Sequence, residues 1–206
     1  MIKPSDFGGL FLWTDGDASG GSLIGRRKTE VFERAIVVGA NGAGKTWLAR
    51  QIAEQYDIPV IHNDALALLT RWQHRPQAEV ASRRKMALAG DRWVLEGGPS
   101  ILSNEVLNSA TLVVWCDTSP GLRAWRIFRR SMYYLGRNRP EHPDGNRDWP
   151  GPRQLRFFTR ALMGGARFEA AIEAALSGYG GPVVRLRTKA AVSGFLKAAC
   201  QGAEGF

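Results

Sequence analysis

The chain has 206 residues, 44% of them hydrophobic, with a formal net charge of +9. That is enough for one domain with a full core, while two cysteines, Cys116 and Cys200, are too few for a disulfide framework. No N-terminal run joins basic residues to a long apolar stretch, and apolar runs such as 112–116 fall far short of the roughly 18 residues of a membrane span, so the expectation is a soluble cytoplasmic protein with no membrane partner.

Residues 1–33 read as a glycine-rich N-terminal extension, because Gly8, Gly9, Gly16, Gly20, Gly21 and Gly25 break up short apolar pieces such as 10–13. Within it, Asp15-Gly16-Asp17 reads as a turn. From Arg34 onward short β-branched runs alternate with longer helical patterns, and strands are expected over 35–38, 58–62, 92–96, 111–116 and 183–186. Leu48, Ile52 and Tyr56 mark one helix face; Trp125, Phe128, Met132 and Leu135 mark a second helix, and Leu155, Phe158 and Leu162 a third. Strands separated by helices imply a parallel sheet covered on both faces, hence an α/β fold for residues 34–206. The span 136–152, with four prolines and several glycines, is expected to be a functional loop between two helices.

Between an expected strand and an expected helix lies Gly39-Ala40-Asn41-Gly42-Ala43-Gly44-Lys45-Thr46. A strand, a loop of this spacing and a helix form a phosphate cradle: backbone N–H groups converge on phosphate oxygens at the positive helix end, a lysine bridges the β- and γ-phosphates, and a hydroxyl reaches Mg²⁺. The expected nucleotide contacts are Gly39, Asn41, Gly42, Ala43, Gly44, Lys45, Thr46 and the adjoining Trp47, with ATP and Mg²⁺ as cofactors. No Asn-Lys-x-Asp guanine signature is present and the chain is short for a motor, which favours a small phosphotransferase.

Ligands in such sheets gather at the carboxyl ends of strands, where Asp64, Glu96 and Asp117 stand. Glu96, before Gly97-Gly98, is expected to hold Mg²⁺ or its water shell together with Thr46. Asp117 precedes Thr118-Ser119-Pro120 and reads as a helix cap. Asp64 reads either as an N-cap or as the group that orients or deprotonates an acceptor hydroxyl, and His62 beside it as structural or a substrate contact.

Eleven arginines against three acids fall between Gly121 and Arg167, so nearly all of the net charge sits there. Arg123, Arg126 and Arg130 share one helical spacing, Arg153, Arg156 and Arg160 another, and Arg137 and Arg139 lie in the connection. Guanidinium forks suit a triphosphate whose charge is being redistributed. Arg130, Arg137 and Arg139 join Lys45, Asp64 and Glu96 as expected catalytic residues. A rival reading is a nucleotide-binding regulator whose arginine segment holds nucleic acid, with Tyr133, Tyr134 and Trp149 stacking on bases.

In order along the chain, "VVGANGAGKTWLARQIAEQYDIPVIHNDAL", "DRWVLEGGPS", "ATLVVWCDTSP", "FRRSMYYLGRNRPE" and "VVRLRTKAAVSGFL" resemble the nucleoside monophosphate kinase and shikimate kinase group of P-loop kinases, most of all the adenylate-kinase-related FlaR-like proteins. The resemblance implies a three-layer fold with a five-stranded parallel sheet, the strand ending at Glu96 lying beside the P-loop strand. It also implies an arginine-rich lid over about 136–152, with Arg126, Arg130 and Arg137 meeting the phosphate. The chain departs from that group at Glu96-Gly97-Gly98, where Asp-Gly-Asn is usual, and in the lid stretch "PDGNRDWPG", where a cysteine is frequent; residues 1–33 have no counterpart. The implied activity is transfer of the ATP γ-phosphate to a small acceptor, whose pocket would lie around residues 64–90.

Overall fold

The computed structural model of the chain describes residues 32–137, 151–163 and 165–200. Five strands, β1 (Arg34–Gly39), β2 (Val60–His62), β3 (Trp93–Gly97), β4 (Leu112–Cys116) and β5 (Val183–Leu186), form one sheet in the order β2-β3-β1-β4-β5. Every pairing is parallel. All five strands lie where the sequence places them, within two residues at each end, and the strand carrying Glu96 is indeed the neighbour of the P-loop strand.

The helices are α1 (Lys45–Tyr56), α2 (Asn63–Ala67), α3 (Gln77–Ala87), α4 (Asn104–Ser109), α5 (Pro120–Tyr133), α6 (Pro152–Met163), α7 (Gly165–Leu176) and α8 (Lys189–Cys200). Alternate residues of β1 face opposite ways, as a strand requires. Ala35 and Val37 join Leu48, Ile52 and Tyr56 of α1 and Phe195 and Ala199 of α8 in one core. Ile36 and Val38 join Val106 and Leu107 of α4 and Ile172 of α7 in the other. A sheet buried on both faces reads as continuous apolar strands, which is why β1, β3 and β4 carry so few polar residues.

Burial of Leu48 and Ile52, each 1% exposed or less, contributes about 1.5–3 kcal/mol apiece. The two fix α1 against the sheet, and with it the helix end that follows the glycine loop. Phe32 also belongs to this core: it is buried, stacks on Tyr56 at 4.6 Å and contacts Phe195 at 5.9 Å. The expected extension over 1–31 and most of the expected lid, 138–150, lie outside the described residues.

Helix α5 starts at Pro120, whose fixed φ suits a first turn. Its buried side is Arg123, Ala124 and Ile127, at 2%, 4% and 4% exposure, while Trp125, Phe128 and Met132 are about half exposed or more. Of the arginine stripe of α5, Arg123 is buried, Arg126 half-buried and Arg130 exposed, while the aromatic stripe is turned toward solvent.

Candidate active site

The P-loop turns sharply between β1 and α1. Gly42 (φ 80°) and Gly44 (φ 98°) occupy the left-handed region open to glycine. At Gly42 a Cβ would sit 2.6 Å from the backbone oxygen of Arg123, so α5 packs directly on the loop's backbone. Gly39 lies beneath, where a Cβ would meet the Cys116 carbonyl oxygen at 2.5 Å. The loop is thus pressed between β4 and α5, and Gly39 serves packing; it does not line the cavity above.

That cavity has a volume of about 1240 Å³ and spreads over the carboxyl ends of the strands. Asn41, Gly42, Ala43, Gly44, Lys45, Thr46 and Trp47 all line it, as do Asp64, Glu96, Arg126 and Arg130. The Lys45 ammonium donates to Ala40 O at 3.0 Å. Burial lowers its pKa, and the carboxylates of Glu96 and Asp64 oppose that shift. A lysine held in this way discharges its remaining desolvation by meeting an anion.

Glu96 is 6% exposed. Its Oε1 accepts a hydrogen bond from Thr46 Oγ1 at 3.4 Å and lies 3.0 Å from His62 Nδ1. Burial would raise the pKa of this carboxyl, but the His62 hydrogen bond and the Lys45 charge outweigh it and hold the value below the ordinary 4.5. Both contacts use Oε1, leaving Oε2 outside them. Among the described residues no three His, Cys, Asp or Glu side chains cluster as a metal cage. A hydroxyl and one ionised carboxylate beside a phosphate loop are what Mg²⁺ requires, since it keeps most of its water and takes few protein ligands. The donor set fits that ion.

Asp64 is in the first turn of α2, whose N-cap is His62, and it is exposed to the cavity. It is therefore not the helix cap, and its carboxylate stands free of that duty. Asp117 also departs from expectation. The N-cap of α5 is Ser119, and Asp117 Oδ2 instead accepts from Arg185 Nε at 2.8 Å and Arg187 Nε at 2.9 Å. Arg185 in turn lies 3.8 Å over the Trp115 ring. The partners come from β5 and the turn after it, about 70 positions away, which is why capping looked sufficient from local sequence.

Arg126 Nη1 donates to Ala43 O at 3.0 Å, as does Thr118 Oγ1. Arg126 is thereby fixed at the P-loop and Arg130 lies one turn further along α5. Arg137 follows the end of α5, exposed and away from the cavity lining; Arg139 lies outside the described residues. Sequence reasoning passed over Arg129, Trp72, His74 and the turn Arg187-Thr188-Lys189, all of which line the cavity. The last of these could have been found, because it follows a strand at its carboxyl end. The role of His62 against Glu96 carried no sequence signal beyond its neighbour Asp64.

Fold and loop together define a three-layer α/β protein of the P-loop type. No protein-family model matches the chain, and a search of curated proteins finds no relative. Among solved structures it is similar to a gluconokinase from Sinorhizobium meliloti 1021, with 20% identity over 84% of this chain and 92% of that one at a TM-score of 0.43. It is also similar to two shikimate kinases. The one from Bacteroides thetaiotaomicron has 17% identity over 82% and 96% at 0.48, and the one from Acinetobacter baumannii, solved with shikimate, 18% over 84% and 95% at 0.49.

Proposed function

We propose that the protein is an ATP- and Mg²⁺-dependent phosphotransferase that moves the γ-phosphate of ATP to a hydroxyl of a small acceptor, in keeping with its resemblance to the adenylate kinase and shikimate kinase group and to FlaR-like members of it. One observation carries this reading: a helix N-terminus bearing Lys45 and Thr46, the buried carboxylate of Glu96 3.4 Å from Thr46, and the exposed Asp64 all open on one cavity.

In this reading the backbone N–H groups of 41–46 and the Lys45 ammonium hold the triphosphate, while Arg126 and Arg130 neutralise oxygens on the side of α5. Thr46 and Glu96 hold Mg²⁺, which when bound supplies charge neutralisation and alignment of the phosphates. His62 keeps the Glu96 carboxylate ionised and oriented. Asp64 accepts the proton of the acceptor hydroxyl as the new P–O bond forms. The leaving ADP remains on the loop until release. Arg137 and Arg139 are assigned to closure over this pair, which would keep water from taking the phosphate.

Burial of Arg123 and the bond from Arg126 to Ala43 support this assignment over a nucleic-acid surface, because the first guanidinium is committed to the interior and the second is tied to the P-loop at the cavity wall. A pooled-metabolite screen for ATP-dependent phosphorylation, with Lys45→Ala as the blank, tests the proposal. A product formed by the wild-type chain and not by the variant is expected; equal traces from both would remove the kinase reading.

A further inference from the structure

We propose that the outer face of the α5–α6 pair is a docking surface for an anionic phospholipid bilayer, with α5 lying in the plane of the headgroups. The proposal does not depend on the kinase reading. Two observations coincide on these helices. Among the described residues, every large apolar side chain left exposed, Trp47 and Met86 apart, falls within 122–163. Residues 120–137 and 151–163, which hold both helices, carry eight arginines and no aspartate or glutamate.

The apolar stripe of α5 is separate from the cavity. Trp125, Phe128 and Met132 are 58%, 49% and 57% exposed, and none of them lines the cavity wall. At helical spacing the three fall within about 60° of arc and span about 10 Å of the axis. Trp125 and Phe128 stack at 6.0 Å and 29°. Arg123, Ala124 and Ile127 are buried, so the helix is held by one side and shows the other. The exposed Arg129 and Arg130 border the stripe, and α6, which packs on α5, adds the exposed Leu155, Arg156 and Met163. An apolar surface of this kind on a folded chain marks a place of contact.

The chemistry of the face selects its occupant. A second copy would set acid-free arginine helices against each other, and like charges repel. A nucleic acid would use the rings and the arginines but leave Met132, Leu155 and Met163, which have no flat face to stack on a base, in water. An acidic protein is recognised through a mixed pattern of charges that fixes register and rejects wrong partners; helices of a single sign supply none. A phospholipid layer asks for what the pair has: aliphatic and aromatic side chains that enter the acyl boundary by roughly 5–10 Å, and guanidinium forks that meet phosphate oxygens above it. A negative bilayer surface would repel any acidic group on this face, and the two helices have none. The expectation of no membrane partner concerns spans, and among the described residues no helix is long and apolar enough to be one. A helix lying on the surface needs no span.

The test is co-sedimentation of the full chain with vesicles of phosphatidylcholine alone and of phosphatidylcholine with about 30% phosphatidylglycerol. Binding to the anionic vesicles only, weakening as salt rises from about 0.05 to 0.5 M, is expected. The double variant Trp125→Gln/Phe128→Gln should weaken it roughly tenfold or more, and Trp125→Phe should hold it within about threefold. Arg156→Gln should cost about fivefold at low salt. Circular dichroism checks that each variant is folded, and if the double variant is not, Leu155→Gln/Met163→Gln takes its place. A single-stranded oligonucleotide and sedimentation velocity are run in parallel. No binding to anionic vesicles, equal binding to both compositions, or unchanged binding by the double variant would overturn the proposal. So would a dimer that the double variant dissociates, or an oligonucleotide complex that it loses while vesicle binding persists. No step of the test reads phosphate transfer, so this proposal and the kinase reading fail separately.

Discussion

The flank of the cavity over β1, β4 and β5 and the flank over β2 and β3 are built from different materials. The first presents backbone N–H groups, hydroxyls, two lysines and the arginines of α5 and of the turn after β5, with contributions from 41–46, the turns after β4 and β5 and the start of α8. The second presents Asp64, Trp72 and His74 over the bare backbone of Gly97-Gly98. A phosphate is recognised by the shape of the main chain, so any side chain compatible with that shape is permitted there. An organic acceptor is recognised by side chains, so its identity resides in a handful of residues brought together by the fold. Substitutions on the two flanks should therefore fail in different ways.

The largest effect is expected from Asp64→Asn, which keeps size and loses the proton acceptor. Transfer should fall by about 10²–10⁴-fold, with ATP-analogue affinity unchanged in a parallel titration. A fall in nucleotide affinity of the same size would erase the distinction between the flanks. Lys45→Ala should do the opposite, costing nucleotide affinity as well as about 10²–10³-fold in rate, read by the same pair of measurements. His62→Ala sits between them, because its ring is on β2 while its partner Glu96 is the residue proposed for the nucleotide side. It should weaken Mn²⁺ binding to the nucleotide complex by about 10–100-fold, measurable by electron paramagnetic resonance, with partial rescue by His62→Asn.

Smaller effects concern stability. Gly42→Ala forces a Cβ to within 2.6 Å of a backbone oxygen, at a left-handed position. It should cost about 1–3 kcal/mol in urea unfolding, with the P-loop flank affected first. The smallest is a pH effect. The Glu96 carboxyl titrates below 4.5 in the folded chain, so as pH falls the unfolded chain binds the proton first and stability declines. The contribution is complete above about pH 4.5 and is lost as pH drops through the lowered folded value. Glu96→Gln should flatten that decline in a melting-temperature series between pH 6 and 3.

The fold was legible because its signals are local. Each strand is a short apolar run and α1 carries Leu48, Ile52 and Tyr56 at helical spacing, all of which are buried. The phosphate loop was legible for the same reason, since its eight residues are consecutive. Glu96 followed from its place at a strand end. What escaped were two roles that depend on distant partners: His62 with Glu96 across 34 positions, and Asp117 with Arg185 across 68. Trp72 escaped because its placement depends on left-handed backbone that no composition rule assigns to Arg-Trp. The aromatic stripe of α5 has the spacing of a core face, yet the side turned inward is Arg123, Ala124 and Ile127, with Arg126 half-buried where the P-loop beneath offers it Ala43 O.

Cys116 sits at the end of β4 under Gly39, 5% exposed, with burial pushing its thiol up to about 12. Thiolate is the reactive form and the sulfur is buried at the floor of the cavity, so alkylating reagents reach it by way of the cavity and only in molecules whose packing there has opened. In a Cys200→Ser background the labelling rate at position 116 becomes a clock for that opening. Slowing of the clock by added nucleotide would yield an affinity for the phosphate loop before any acceptor has been found.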